Sequence, residues 1–428
     1  MRTQHRVGTT LLAIGMVAAL AACGRGDDEG GNGSGAPASQ AAEIDFSTAS
    51  GEISVWAMGT EGDNLDVLAE DFMTEYPDVT VEVTAVPWDA AHDRIATAIA
   101  AGEVPDVSLI GTTWMGEFAS GGGLDPTPAN IDPSIFFEGA WDTTIVDGVS
   151  YGIPWYVETR LLYYRTDLAE ESGATAPPGN WDELKALAEG FEGAGADPAI
   201  ALQAGGTGSW QTFMPFFWQA GGEILDESGN FTLDSDACVE ALTYYDSFFE
   251  EGLAPTAAME PGALETGFAN GEIGSFISGP WMIGIVTDAG ADQATWTVAH
   301  QPTEEAGTSF VGGGNISVFS DSENKTAAWA FVDYLSQPEV QVKWFQTIND
   351  LPSVQAAWDD PALADDELLS AFGDQLADAK APPAIATWEQ VAAEAIDTQI
   401  EQVTVGDVTP EDGCAAMQTE AEAIGTGM

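Results

Sequence analysis

Apolar and polar positions alternate with a period of two soon after residue 50, where Ile53, Val55 and Ala57 share one face of a predicted strand. The rhythm returns at Val79, Val81 and Val83, and the short apolar run from Val107 to Ile110 reads as a third strand. Between them the period lengthens to that of a helix. Leu65, Leu68, Phe72 and Tyr76 follow Asp63, the expected N-cap, and stop at Pro77; Ile95 and Ile99 point inward from a helix over residues 90–101 that closes at Gly102. This βαβαβ order predicts a parallel sheet with helices on both faces. Ligands of such sheets collect beyond the carboxyl ends of the strands, which here are Gly59-Thr60-Glu61, Val86-Pro87-Trp88-Asp89 and Gly111-Thr112-Thr113-Trp114.

The stretch from Gly152 to Asp167 joins two apolar, strand-like runs through the polar middle Glu158-Thr159-Arg160. Before it, Ile145, Val146, Val149, Tyr151 and Ile153 flank Asp147-Gly148, a strong hairpin signal. After it, Leu161 to Tyr164 form a buried-strand run. A chain that leaves one core here and enters another would line a cleft, where small-ligand sites form. Beyond the crossing, helices are predicted from Trp181 behind an Asn180/Glu183 cap, over Trp210 to Ala220, and over Asp236 to Glu251, ended by Gly252. Phe268 to Trp281 reads as helix end, strand and turn. Trp296 to Ala299, the glycines Gly312 to Gly314 with Asn315 before Ile316 to Phe319, and a Lys325 to Leu335 helix read as a return to the first lobe. Pro338 to Ile348 then carries the chain back, and helices around 366–379, 388–402 and 410–424 complete the second lobe.

Composition sets the scale of this plan. The 428 residues exceed the size at which a single hydrophobic core stops growing, and 45% hydrophobic and 10% aromatic content suffices for two packed domains. Seventy acidic residues against ten basic ones leave a net charge of -60. Such a field repels nucleic acid and anionic lipid, so neither is an expected partner.

The N-terminus places the protein outside the cytoplasm. Arg2 and Arg6 precede the apolar run Leu11 to Leu20, which ends in Leu20-Ala21-Ala22-Cys23, the pattern of a secretory signal over residues 1–22. The last four residues resemble a bacterial lipobox, in which Cys23 becomes the lipidated first residue and anchors the chain to the outer face of the cell membrane. Residues 24–50 are too polar and aperiodic to bury themselves and read as a disordered tether. The remaining cysteines, Cys238 and Cys414, are expected to pair in a compartment that permits disulfides.

Taken in order, these pieces resemble, over essentially the full mature length, the extracytoplasmic solute-binding lipoproteins of carbohydrate ABC importers (family 1), the group that includes the maltodextrin-binding proteins. The resemblance is carried by the lipobox, Val104-Pro105-Asp106-Val107 leading to Trp114, the Ile153 to Asp167 crossing, Asn270-Gly271 through Gly279-Pro280-Trp281, Gly312 to Asn315, and the Ala327 to Pro338 helix. It implies an α/β, two-lobed, type II periplasmic-binding-protein fold, with three inter-lobe crossings and a cleft that closes on a sugar and presents it to a membrane permease. The expected lobes are 51–157 with 297–345 and 158–296 with 346–428, in a monomer without cofactor or metal. The acidity, Thr113-Trp114 where maltodextrin binders carry a charged pair, and Thr60-Glu61 where they carry an acidic/basic pair leave the particular sugar open.

The residue types point the same way. A pyranose offers an apolar C–H face and a rim of hydroxyls, so its site needs flat aromatic surfaces and planar polar groups. Of 14 tryptophans, Trp88, Trp114, Trp155 and Trp281 fall at turns and strand ends instead of helical stripes. Trp114 and Trp281 also match the family pattern, Trp210 and Trp388 more loosely; each could instead fill a core. At the crossing, Tyr156 and Glu158 are candidate ligand groups, with Glu158 where the family places a hydroxyl-binding carboxylate. Arg160 is a candidate too, against a structural ion pair. Glu61, Asp89 and Thr113 at strand ends, and Gly313, Gly314 and Asn315, complete the expected set, against helix capping or a glycine-rich strand start.

Catalysis has little support, since no His-Glu-x-x-His or P-loop motif occurs. A glycosidase-type carboxylate pair is neither argued nor removed by counting acids. A ferric-iron importer component is a further alternative, because Tyr163-Tyr164 and Tyr244-Tyr245 offer phenolates, although adjacent strand tyrosines point to opposite faces.

Overall fold

The carboxyl ends of the first three strands converge as the alternation predicts. A computed structural model describes residues 40–174 and 176–427, apart from the side chain of Asp89; the signal segment 1–22, Cys23 and the tether up to residue 39 lie outside the described residues. The stretch expected as the end of the tether is docked, not free. Gln40 Nε2 donates to Pro128 O and Ile131 O, the Ala41 amide donates to Thr127 O at 2.8 Å, and Phe46 packs against the first core. These hydrogen bonds and one aromatic ring offset the polarity of the segment.

Gly51–Met58 (β1) pairs in parallel with Val79–Val86 (β2) and Val107–Gly111 (β3). Ile53, Val55 and Ala57 are fully buried, and Gly102 closes the helix Trp88–Ala101 in a left-handed conformation. The expected cap at Asp63 is displaced, because the first helix begins at Gly59 and runs to Asn64, before a second helix Asp66–Glu75. Gly59 adopts φ +50°, which turns the chain straight out of β1, and Gly62 lies too close to Ala57 and Ala85 to carry a side chain. Asp147 and Gly148, both at positive φ, join Ile145–Val146 (β4) to Val149–Ser150 (β5), as the hairpin signal predicts.

Ile153–Thr159 (β6) is followed after one residue by Leu161–Arg165 (β7). Then come Ile200–Ala201 (β8), Ser275–Ser278 (β9), Trp296–Ala299 (β10), Ser309–Val318 (β11), Leu351–Pro352 (β12) and Ala379–Lys380 (β13). The first sheet runs β12-β6-β11-β3-β1-β2, with β13 beside β11; the second runs β10-β7-β9-β8. Because β11 lies antiparallel between β3 and β6, the first sheet is mixed and not wholly parallel. Gly312 to Asn315, expected ahead of that strand, lie inside it.

The expected return at residues 296–299 is corrected. β10 stays in the second sheet, antiparallel to β7, because Trp296 is buried against Tyr163 and Phe268 with ring centroids 5.8 and 6.0 Å away. The chain therefore reaches the first sheet through residues 300–308. Where a turn was expected at Trp281, the helix Trp281–Asp288 begins. Cys238 and Cys414 are bonded and buried, joining the helices Asp236–Glu250 and Pro410–Ile424. No helix among the described residues is long and apolar enough to cross a membrane.

Candidate functional site

Alternation along β6 sends Trp155 into the first core, where it stacks on Trp344, and turns Tyr156 and Glu158 together toward the opposite face. Opposite them on β11, Gly312 pairs with Glu158, Gly313 with Val157 and Gly314 with Tyr156. The glycines make room: a Cβ on Gly312 would lie 2.8 Å from Glu158 Oε1, one on Gly314 2.7 Å from Tyr156 Cε1, and one on Gly313 against Tyr156 O. Gly313 also holds φ +126°, a backbone that side chains rarely adopt.

Arg160 is the single residue between β6 and β7. Its Nη2 donates to Glu158 Oε1 and to Gln211 Oε1, both at 3.2 Å, and its guanidinium lies over the Trp281 ring at 4.6 Å and Phe310 at 5.6 Å. Burial raises the Glu158 pKa, and the charge of Arg160 opposes the rise. Two polar atoms here, Glu158 Oε2 and Arg160 Nε, are buried without a hydrogen-bond partner. Buried orphan groups of this kind are costly unless a ligand or water answers them. Beside them Trp281 keeps 43% of its surface exposed, and Gly279 leaves space for its ring to fold back.

Glu158 and Trp281, though not Arg160 itself, line a cavity of about 660 Å³, within the range of small-ligand sites. Tyr156, Glu158 and Gly313 form one wall, Trp281 with Ile283 another, and Phe345, Ile348 and Asp350 the floor. The expected residues at the ends of β1 to β3 do not line it; Glu61 stands behind its wall, against Tyr156 and near Asp350. Glu61 is 8% exposed; burial raises its pKa, while its own backbone amide and hydrogen bonds from Tyr156 and Trp88 oppose the rise. Trp88 is partly exposed and meets Trp114 edge-on at 5.7 Å; Trp114 meets His92 in turn at 5.4 Å, and Thr113 is half-buried beside it. Asp89 begins the helix with Trp88, and its side chain lies outside the described residues.

Three expected ligand groups are placed otherwise. Asn315 is fully buried and spends its amide on Thr143, donating to Thr143 O at 3.2 Å and accepting from Thr143 Oγ1 at 3.0 Å. Trp210 and Trp388 are 5% and 1% exposed and pack edge-to-face at 5.1 Å, with Phe310 against Trp210. They build the wall behind Arg160 and offer no open ring. Asp397 holds Trp210 there by accepting from its amide at 2.7 Å. Three of the four tyrosines of the iron alternative are engaged as donors: Tyr163 to Gly279 O, Tyr244 to Trp181 O and Tyr245 to Gln203 O, each at 2.7 Å.

Sequence reading missed the floor. Asp350 follows Asn349, which caps the helix Pro338–Ile348 at φ 66°. The signal available was an Asn just past a helical pattern and before Leu351-Pro352. Burial, with the charge of Glu61 adding to it, lifts the Asp350 carboxyl to about 8, against the hydrogen bond from Trp344.

The chain matches the family described as bacterial extracellular solute-binding protein over residues 58–342. Among solved structures it is similar to the sugar-binding protein MalE of Xanthomonas citri, at 32% identity and a TM-score of 0.81, covering 87% of this chain and 97% of that one. The GacH receptor of Streptomyces glaucescens, solved unliganded and with acarbose, is 29% identical with a TM-score of 0.73, over 88% of this chain and 98% of that one. The maltotriose-binding protein of Pyrococcus abyssi is 27% identical over 84% of this chain and 80% of its own length. The two-sheet architecture is the type II fold of those structures.

Proposed function

The chain belongs to the bacterial extracellular solute-binding proteins, and from that membership we propose that its cleft captures a neutral di- or oligosaccharide outside the cell. The sugar passes intact to the permease subunits of an ABC importer. The observation that carries this reading is the unfilled pairing at the cavity edge: Glu158 Oε2 and Arg160 Nε lack partners while the exposed face of Trp281 stands next to them. One acceptor, one donor and a flat apolar surface are what adjacent hydroxyls and a C–H face require. Glu61, Tyr156, Trp88 and Trp114 extend the same surface toward the ends of β1 to β3. Maltotriose and acarbose, named for two of the relatives, are the first ligands to try, with maltose as the shorter homologue.

The lobes meet where the chain leaves the first sheet at Arg160 and rejoins it through residues 300–308. Cys23 as the lipid-bearing residue, with residues 24–39 as a spacer, would hold a monomer at the membrane surface. A thermal-shift screen with maltose, maltotriose, acarbose and a panel of monosaccharides tests the reading, because a ligand selective for the folded state raises the unfolding midpoint. The midpoint should rise with at least one oligosaccharide, which chromatography then recovers unchanged. No shift across the panel at millimolar sugar, or recovery of cleaved products, would end the proposal.

A further inference from the structure

Asp350 sits on the cavity floor at the junction between the helix Pro338–Ile348 and β12. The left-handed turn at Asn349 brings it back toward its own helix, where Trp344 Nε1 donates to Asp350 Oδ2 at 3.2 Å. The groups around it are acidic or phenolic apart from one cation: Glu61 from the end of β1, Tyr156 and Glu158 from β6, Asp366 across the cavity, and Arg160 paired with Glu158. Arg160, the basic member of that set, is taken up by Glu158 and Gln211. Burial and the charge of Glu61 raise the Asp350 pKa to about 8. A carboxyl in those surroundings keeps its proton at neutral pH, and a protonated carboxyl donates a hydrogen bond where a carboxylate only accepts.

The remainder of the lining on that side is apolar at Ile283, Phe345, Ile348 and Leu369, apart from the exposed Asn349 and from Asp366, whose Oδ1 accepts from the Leu368 and Leu369 amides at the start of its own helix. With Asp366 engaged as a helix cap and Asn349 turned to solvent, Asp350 is the half-buried polar group on that side. We propose that Asp350 is a specificity-determining residue of the cleft, presenting a hydrogen-bond donor to an oxygen of the bound sugar and fixing which end of the ligand reaches the floor. This rests on the sugar-capture reading above. Glu158 and Glu61 accept from the sugar on one side, and Asp350 donates to it on the other.

Calorimetric titration of the full chain with maltotriose, maltose and acarbose between pH 6 and pH 9.5 tests the assignment in the natural protein, Asp350→Asn and Asp350→Ala. The natural protein should bind about tenfold more weakly at pH 9 than at pH 7, because the binding-competent fraction falls as the proton leaves. D350N should bind somewhat more weakly at pH 7 yet lose the alkaline decline, since its amide still donates. D350A should be at least tenfold weaker throughout. A flat profile in the natural protein, or a D350N protein that keeps the decline, overturns the assignment. Infrared spectroscopy supplies a readout without ligand. A neutral-carboxyl band present at pH 7, lost by pH 9.5 and missing from D350N supports the proposal, and a D350N-sensitive band that appears only below pH 6 refutes it. Should none of the sugars bind the natural protein, the capture reading fails, and the infrared band alone decides the state of Asp350.

Discussion

The guanidinium of Arg160 lies 4.6 Å over the indole of Trp281 while the same group holds Glu158 Oε1 at 3.2 Å. One cation thus ties a carboxylate of the first sheet to an aromatic plane at the start of the helix that follows β9. Removing that plane with Trp281→Ala should weaken sugar binding by about 1–3 kcal/mol, the usual worth of a buried aromatic contact. Calorimetry measures it, and unchanged affinity would take Trp281 out of the site.

Arg160→Ala leaves Glu158 largely buried with no cation beside it. Breaking such a pair costs more than the pair contributes, so urea unfolding should show a loss of about 1–3 kcal/mol. Adding Glu158→Gln should restore most of it, because the stranded charge is then gone. A double variant as unstable as the single one would assign the loss to packing on Trp281 and Phe310.

Gly313→Ala places a Cβ against Tyr156 O in a backbone at φ +126°. Strain and collision together should lower stability by about 2 kcal/mol or more. Gly193→Ala is the control: it lies in the helix Trp181–Ala194 with nothing near its ideal Cβ, and should gain up to about 1 kcal/mol. Equal effects at the two positions would contradict the close approach of β6 and β11.

Burial lifts Asp350 to about 8 and Asp246 to about 6, with the charge of Glu61 adding to the first and that of Glu250 to the second. Both folded values lie above the ordinary carboxylate range. Their contribution to stability is therefore complete below that range and is lost as pH rises through it toward the folded values. The melting temperature should be higher at pH 5 than at pH 8.5, with a smaller difference in Asp350→Asn. Calorimetric scans in molar chloride, where general charge repulsion is screened, isolate the effect.

The net charge of -60 predicts a second response. Self-repulsion loosens the compact state, so the unfolding midpoint should climb between dilute buffer and molar sodium chloride. A midpoint independent of salt would show that the acids are spaced too widely to interact.

The alternation at Ile53 to Ala57 and at Val79 to Val83, the Asp147-Gly148 turn and the break at Glu158 to Arg160 were all legible in the sequence, because local periodicity and turn chemistry decide them. Trp210, Trp388 and Asn315 were misplaced because exposure depends on packing partners far away in the chain: Phe310 for Trp210, Thr143 for Asn315. β10 was assigned to the wrong sheet for the same reason, since only contact with Tyr163 and Phe268 shows where Trp296 is buried. Asp350 went unread because one more acid among seventy carries no local mark. What distinguishes it is Glu61, almost three hundred positions earlier.

Thr159 ends one sheet and Leu161 begins the other, so the joint between them is one residue long. Two soft backbone torsions must absorb whatever swivel the flanking strands undergo. The residue that owns those torsions is Arg160, whose side chain also touches Glu158 and Trp281. If sugar is held as proposed, grip and pivot are the same amino acid, and a substitution at Arg160 should not retune one without disturbing the other.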